Sequence, residues 1–192
     1  EVGTSSEATL MHAGAEWPAG ADGVRCVPDF NGARGPLWDP DARASFYGLS
    51  AQHTRPQMAR AALEGVAYGL KVVLDDLEDL TGRAVTIRVG GGLAQSDVWR
   101  TMLAGVLNQA VMVPDSVDSS ALGAAIMGLS SLGIDAAAME QTAQSAGKVV
   151  EPDEADAAAY ATLYGIWSEI IYNNDEVDDQ LAAFQAGRKW EI

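Results

Sequence analysis

At 192 residues and 48% hydrophobic content, the chain has material for one well-packed domain, or a domain with an appendage. Its formal net charge of −15 at pH 7 argues against a nucleic-acid or anionic-membrane surface, because phosphates repel an acidic face. A single cysteine, Cys26, excludes an internal disulfide, and His12 and His53 have no Cys or His at ligand spacing, so no metal ligand is assigned.

The opening residues read as a ragged start with a short helix around Glu7 to Glu16. A loop punctuated by Pro18, Gly20 and Gly23 follows, and Val24–Val27 fits a short strand. PDFNGARGPLWDPDARASFYGLS, from Pro28, is rich in Pro, Gly, Asn and Asp and reads as a long ordered loop, a kind of segment that tends to be functional or to cross between units. The longest predicted helix opens on Thr54 as N-cap with Pro56 in its first turn. Met58, Ala62, Val66, Val73 and Leu77 recur along it at helical spacing, and Gly82 ends it. Ala84–Val89 predicts a strand of buried type. After Gly90, Gly91 and Gly92 the pattern predicts a helix from Ser96 to Asn108, then a strand over Ala110–Val113 closed by Pro114. Two small-residue helices, Ser120–Gly133 and Asp135–Gly147, precede a long helix from Pro152 that carries Tyr160, Leu163, Tyr164 and Trp167 on one side. The tail, Asp175 to Ile192, predicts a short amphipathic helix whose acidic run is a solvated face. Strands alternating with helices give an α/β core, but only about three strands are legible, few for a self-standing sheet. No apolar run is long enough to span a bilayer and no signal peptide is visible, so a cytoplasmic protein is expected.

The clustered glycines carry the first chemical hint. A strand, a glycine turn and a helix start leave backbone N–H groups free and add a favourable helix dipole, as phosphate sites require. Neither familiar version is complete: no Gly-Lys-Ser/Thr follows, and Gln95 stands where a dinucleotide fingerprint needs its third glycine. On local pattern alone, a tight turn without ligand and a phosphate cradle both remain open.

The wider chain adds to this. Ala44–Leu70 resembles the second signature segment of the FGGY family of carbohydrate kinases, through Ala44, Phe46, Gly48 and Leu49, then Gln57, Met58, Ala61, Ala62, Leu63 and Glu64. PAGADGVRCVPDFNGARGPLWDPDAR is similar to the family's segment ending Gly-x-Arg-x-Pro-x-Trp-Asp-Pro-x-Ala-Arg. GGLAQSDVW, VPDSVDSSALGAA and EPDEADAAAYATLYGIW resemble its glycine turn, its Pro-rich turn into Ala-Leu-Gly-Ala-Ala and its closing Tyr-x-x-x-Tyr helix, in the family's order. The resemblance runs from about Pro18 to Trp167. Ala33, Leu93, Gly105 and Ala110 depart from frequent family residues, and the last two are expected to loosen a helix and a strand start. GTSS at Gly3 to Ser6 is similar to the motif that opens the family's second domain, but the stretch from there to the Pro-x-Phe-x-Gly-x-Arg segment at Pro28 is too short for the strands that belong between.

The resemblance implies an α/β domain of the ribonuclease H-like, actin/hexokinase-type ATPase fold, incomplete in its strands, with several packed helices. Residues 1–17 form a ragged start or an expression remnant, 18–174 a carboxy-terminal nucleotide-binding domain, and 175–192 an acidic helical tail. It implies ATP and Mg²⁺ as cofactors. Gly91 and Gly92 would approach the nucleotide phosphates and ribose, Leu93 would leave their N–H groups free, and Ser96 would lie beside the adenine. Gly123 and Ala124 would pack close to that pocket. The catalytic Asp belongs to an amino-terminal domain, so no catalytic residue is assigned in this chain, which is expected to be inactive alone. The implied activity is ATP-dependent phosphorylation of a sugar or polyol hydroxyl. D-Xylulose is the first choice, from HTR and LEGVAYGL, with gluconate and glycerol open. A non-catalytic nucleotide- or partner-binding module is the alternative. The partners implied are the sugar or polyol and the missing domain, whose absence would bare apolar surface and favour a homodimer. Asp39 and Arg43 are expected to form a loop ion pair, Trp38 to anchor packing, and Glu64 to bond backbone or a loop Arg.

Overall fold

A 27-residue helix, α1 (Arg55–Thr81), organises the molecule in this computed structural model, which describes residues 14, 17–114, 119–137, 139, 141 and 147–187. It starts where the sequence predicts. Gln57 reaches back to accept from the Thr54 amide at 3.0 Å and the Thr54 hydroxyl at 2.7 Å, and Pro56 occupies a first-turn position where no amide is needed. Gly82 ends it by donating to the Glu78 carbonyl at 2.8 Å.

Against α1 packs an antiparallel ribbon of β1 (Arg25–Val27) and β2 (Ser45–Tyr47), with Cys26 opposite Phe46. A second sheet has the order β3-β4-β5, from β3 (Ile87–Arg88), β4 (Val111–Pro114) and β5 (Gly147–Val150). β3 and β4 are parallel, joined by helix α2 (Asp97–Leu107), and β5 returns antiparallel to β4. α3 (Ser119–Ser131) follows β4. α4 (Glu154–Tyr172) is capped by Asp153, whose Oδ1 accepts from the amides of Ala155 and Asp156, each at 3.0 Å. α5 (Asp175–Ala186) closes the described chain.

The core lies where α1, α2 and α4 meet: Leu63, Tyr68 and Val72, then Trp99, Met102, Leu103 and Val106, then Tyr160 and Trp167. Gly105 lets α2 approach α4, since a Cβ there would lie 3.1 Å from the Tyr160 ring. A residue expected to loosen the helix thus fits its packing.

Several expectations change. Among the described residues there are five strands rather than three or so. β2 lies inside the stretch that reads as loop, and β5 falls outside every predicted strand, because each is a short run without a strong apolar signal. Only Ile87–Arg88 of the Ala84–Val89 strand joins the ladder, and Val85 is fully exposed, so this strand is not of buried type. The apolar series on α1 is split: Val66, Val73 and Leu77 are exposed and Met58 and Ala62 are partly buried, while Ala61, Glu64, Tyr68 and Val72 form the buried face. The Glu7–Glu16 helix, apart from Gly14, and GTSS at Gly3 to Ser6 lie outside the described residues. So does part of the Asp135–Gly147 helix, of which residues 137, 139 and 141 are helical. Among the described residues no helix is long and apolar enough to cross a membrane.

Candidate nucleotide-binding site

β3 delivers the chain to the glycine turn. The Val89 amide still donates to the Met112 carbonyl of β4 at 2.9 Å, and the backbone then leaves the sheet. Gly91 has φ +90°, a left-handed conformation that explains glycine there. The carbonyls of Gly91 and Gly92 accept from the amides of Ala94 and Gln95, each at 3.2 Å, and Leu93–Gln95 makes a single 3₁₀ turn. In a trans peptide the N–H points opposite to the C=O. With both carbonyls turned into the loop, the N–H groups of Gly92 and Leu93 face the other way. Among the described residues the amides of Gly91 and Gly92 donate to no protein group. A Cβ added at Gly91 or Gly92 would meet nothing within 4 Å, so there is open space beside both glycines.

Helix α2 starts directly behind the turn. Ser96 is its N-cap, with Oγ accepting from the Trp99 amide at 3.4 Å, and Trp99 is buried in the core. The residues expected to meet a nucleotide, Gly91, Gly92, Leu93 and Ser96, therefore occupy one continuous turn and helix start. Because β3 and β4 run parallel, α3 leaves the same end of the sheet. A Cβ added at Gly123 on α3 would meet nothing within 4 Å, so packing does not require that glycine.

The surroundings hold side chains that the sequence does not single out. Arg100 Nη1 donates to the Ala94 carbonyl at 2.7 Å, and Nη2 contacts Asp97. Lys148 Nζ of β5 lies 3.3 Å from the same carboxylate. The Arg100 hydrogen bond and then Lys148 hold the Asp97 carboxyl below the usual carboxylate range. Arg100 sits at i+3 from Asp97, a spacing that signals a helix pair but not a bond back to the turn.

Glu64 is fully buried on α1 and accepts from the Gly20 amide at 2.8 Å, Arg25 Nη1 at 3.0 Å and Arg60 Nε at 2.9 Å. It bonds backbone, as expected, but its arginines lie on β1 and on α1 itself rather than on a loop. Arg60 Nη2 in turn donates to the Tyr160 hydroxyl at 2.6 Å, and Arg25 Nη1 to the Tyr68 hydroxyl at 3.2 Å. Burial pushes the Cys26 thiol up to about 12, which leaves it unreactive as a nucleophile.

Two loop expectations fail. Asp39 does not pair with Arg43: its Oδ1 accepts from the Asp41 amide at 2.8 Å. The Arg43 guanidinium lies 3.9 Å from Asp41 and donates to Gln185 Oε1 of α5 at 2.8 Å, while its amide donates to Asp178 at 3.1 Å. The tail helix takes Arg43 because it docks on this loop. Trp38 is 75% exposed, with its ring folded over Gly35, so it anchors no core. Among the described residues no three His, Cys, Asp or Glu side chains converge as a metal-ligating group.

Comparison with known proteins adds identity to this geometry. The FGGY family of carbohydrate kinases, C-terminal domain, matches residues 2–132. The chain is 39% identical to a gluconokinase of Bacillus subtilis over 172 residues, which cover 88% of this chain and 33% of that protein. It is 37% identical to a glycerol kinase of Thermus brockianus over 126 residues, 65% of this chain and 26% of the relative. It superposes on the crystal structure of ligand-bound xylulose kinase from Lactobacillus acidophilus with a TM-score of 0.76 at 32% identity, over 86% of this chain and 34% of that one. The chain thus spans a third or less of the length of these curated relatives. Its fold is that of one part of these kinases, the actin/hexokinase-like ATPase type.

Proposed function

Because this chain belongs to the FGGY family of carbohydrate kinases, as its C-terminal domain, we propose that it supplies the nucleotide-binding half of an ATP-dependent kinase for a sugar, sugar-acid or polyol hydroxyl. The open glycine turn at the end of β3 carries this reading. Its free amides at Gly91 and Gly92 sit ahead of an 11-residue helix, where a phosphate gains both hydrogen bonds and the dipole of the helix. Ser96 Oγ already accepts from Trp99, so its hydroxyl proton is what it has to offer a base or ribose. Bound ATP would bring the γ-phosphoryl group, and Mg²⁺ would neutralise charge on it as it transfers. The acceptor-activating base lies on the amino-terminal domain in this reading, and transfer needs both halves positioned across a cleft. The exposed apolar series on α1, Val66, Leu70, Val73, Leu77 and Leu80, supports such a completing partner. Residues 18–174 form the body of the domain in this reading, with 1–17 ahead of it and 175–192 as an acidic tail whose helix, Asp175–Ala186, docks on the Arg43 loop, in a cytoplasmic enzyme.

For the acceptor, the likeness to xylulose kinase supports D-xylulose and the higher identity of the gluconokinase supports gluconate. We rank gluconate first, D-xylulose second and glycerol third for phosphorylation assays on the chain joined to an amino-terminal kinase domain. The primary test is calorimetric titration of the chain with MgADP. Binding is expected, and Gly92→Val should weaken it at least about tenfold with an unchanged melting temperature, since the added side chain enters open space on the ligand side. A wild-type chain that takes up no MgADP, or a Gly92→Val chain that binds equally well, would sink the assignment.

A further inference from the structure

The shape of the glycine turn depends on a residue of the helix that it feeds. Arg100 stands one turn into α2 with its side chain only 12% exposed, and its Nη1 holds the Ala94 carbonyl at 2.7 Å. That carbonyl belongs to the same peptide plane as the Gln95 N–H. Fixing one end of the plane aims the other. The Gln95 N–H indeed points at the Gly92 carbonyl, 3.2 Å away. The Gly92 carbonyl in turn shares its plane with the Leu93 N–H, which therefore faces the open side. Two rigid planes relay the position of a guanidinium to an amide on the ligand face.

The guanidinium is itself held. Asp97 takes its Nη2, and Lys148 from β5 reaches the same carboxylate at 3.3 Å. Asp97 and Lys148 are 79% and 65% exposed, so this outer pair orients more than it stabilises. The bond to Ala94 differs: it is charge-assisted and part-buried, and Ala94 is 3% exposed. Arg100 Nε is buried without an acceptor among the described residues, so the terminal nitrogens carry the hold.

We propose that Arg100 is a positioning residue for nucleotide phosphate: it sets the peptide planes at Gly92–Leu93 and Ala94–Gln95 and so the amides that the turn presents. This rests on the nucleotide assignment above. It touches no ligand and does no chemistry.

The test compares Arg100→Met and Arg100→Lys in the full chain. Methionine keeps an apolar stem and removes the donors, whereas lysine keeps the charge and can make one bond to Ala94. Three quantities are read: hydrogen exchange at the Gln95 amide without ligand, MgADP affinity, and melting temperature. For Arg100→Met, Gln95 exchange should rise about tenfold and MgADP affinity fall about tenfold, a change of one hydrogen bond's size, with the melting temperature within about 2 °C. Arg100→Lys should recover part of both. Unchanged Gln95 exchange in Arg100→Met overturns the proposal, and so does faster exchange with unaltered affinity. A melting temperature lowered by more than about 5 °C with no recovery by lysine would mark a merely structural arginine and overturn it too. A wild-type chain without MgADP affinity would defeat the nucleotide assignment and with it the positioning role, whereas wild-type binding with an Arg100→Met chain of equal affinity defeats only the latter.

Discussion

Each face of α1 holds residues that the usual rule assigns to the other: among apolar Ala61, Leu63, Ala67 and Val72 the inward face buries charged groups, and the outward face bares an apolar stripe. The inward face carries Arg60, Glu64 and Tyr68, joined by Arg25 from β1 and Tyr160 from α4, all at 6% exposure or less. The outward face carries Val66, Leu70, Val73, Leu77 and Leu80, with exposures from 38% to 83%. Charged groups can go inside because each finds a partner. Glu64 accepts three hydrogen bonds, and both arginines that meet it are also tied to carbonyl or hydroxyl oxygens. The apolar stripe is left outside because no described element of this chain covers it. A helix face is classified by what packs on it, and composition indicates only what it could accept.

The contrast breaks most visibly at Glu64. Replacing it with Ala leaves Arg25 and Arg60 buried without their carboxylate, and breaking a buried ion pair in this one-sided way costs about 3–5 kcal/mol. Urea denaturation should read that loss, with Glu64→Gln losing less because the amide keeps the shape and one acceptor. A cost below about 1 kcal/mol for Glu64→Ala would mean that the network is solvated in solution, and the inner face would then no longer be exceptional.

The outer face should respond in the opposite sense. Leu77→Lys alters a side chain that is 52% exposed and in this chain should shift stability by no more than about 0.5 kcal/mol. Its effect should appear in self-association, with light scattering reporting less oligomer than for the wild type as the apolar patch is interrupted. If Leu77→Lys instead unfolds the chain, the stripe is covered in solution and the contrast between the faces disappears.

Much of this architecture is legible in the sequence, for identifiable reasons. Thr54, Pro56 and Gly82 bracket α1 because capping and termination are local chemistry. The glycine turn and Ser96 stand out because a strand, a glycine run and a helix start are contiguous. The Glu64 contacts can be anticipated only in kind, since neither Arg25 nor Gly20 is near it in sequence. Arg100 escapes notice because its partner is a backbone carbonyl, which no side-chain pattern announces. The orientation of the α1 stripe is not legible because periodicity locates an apolar face and does not say whether a neighbour exists. β2 is missed because Ser45–Tyr47 closes a stretch rich in Pro, Gly, Asn and Asp, and β5 because Gly147–Val150 opens on Gly and Lys, so neither shows the apolar β-branched run that marks β4.

A smaller test asks whether pairing, rather than burial, is what makes a carboxylate tolerable. Asp29 is the counterexample to Glu64. It lies half-buried between the Pro28–Arg43 loop and α5, and burial, then Asp178, then Asp39 push its carboxyl above the usual value of 3.8. Asp179 of α5 lines the same cavity of about 240 Å³. Arg43, the cation at the end of this loop, is occupied with Gln185 and Asp41. When α5 leaves the loop, Asp178 and the burial that the helix adds go with it and the Asp29 value falls, so the docked form holds the proton more tightly. Docking is therefore favoured below the free value and loses that contribution as pH rises through the docked one. Exchange protection of the α5 amides, corrected for intrinsic rates, should rise modestly as pH falls from 7 towards the carboxylate range. Asp29→Asn should give higher protection at pH 7 and a flatter profile. Protection that falls in Asp29→Asn would mean that this carboxylate has a partner that stabilises it, and the distinction drawn between Asp29 and Glu64 would fail.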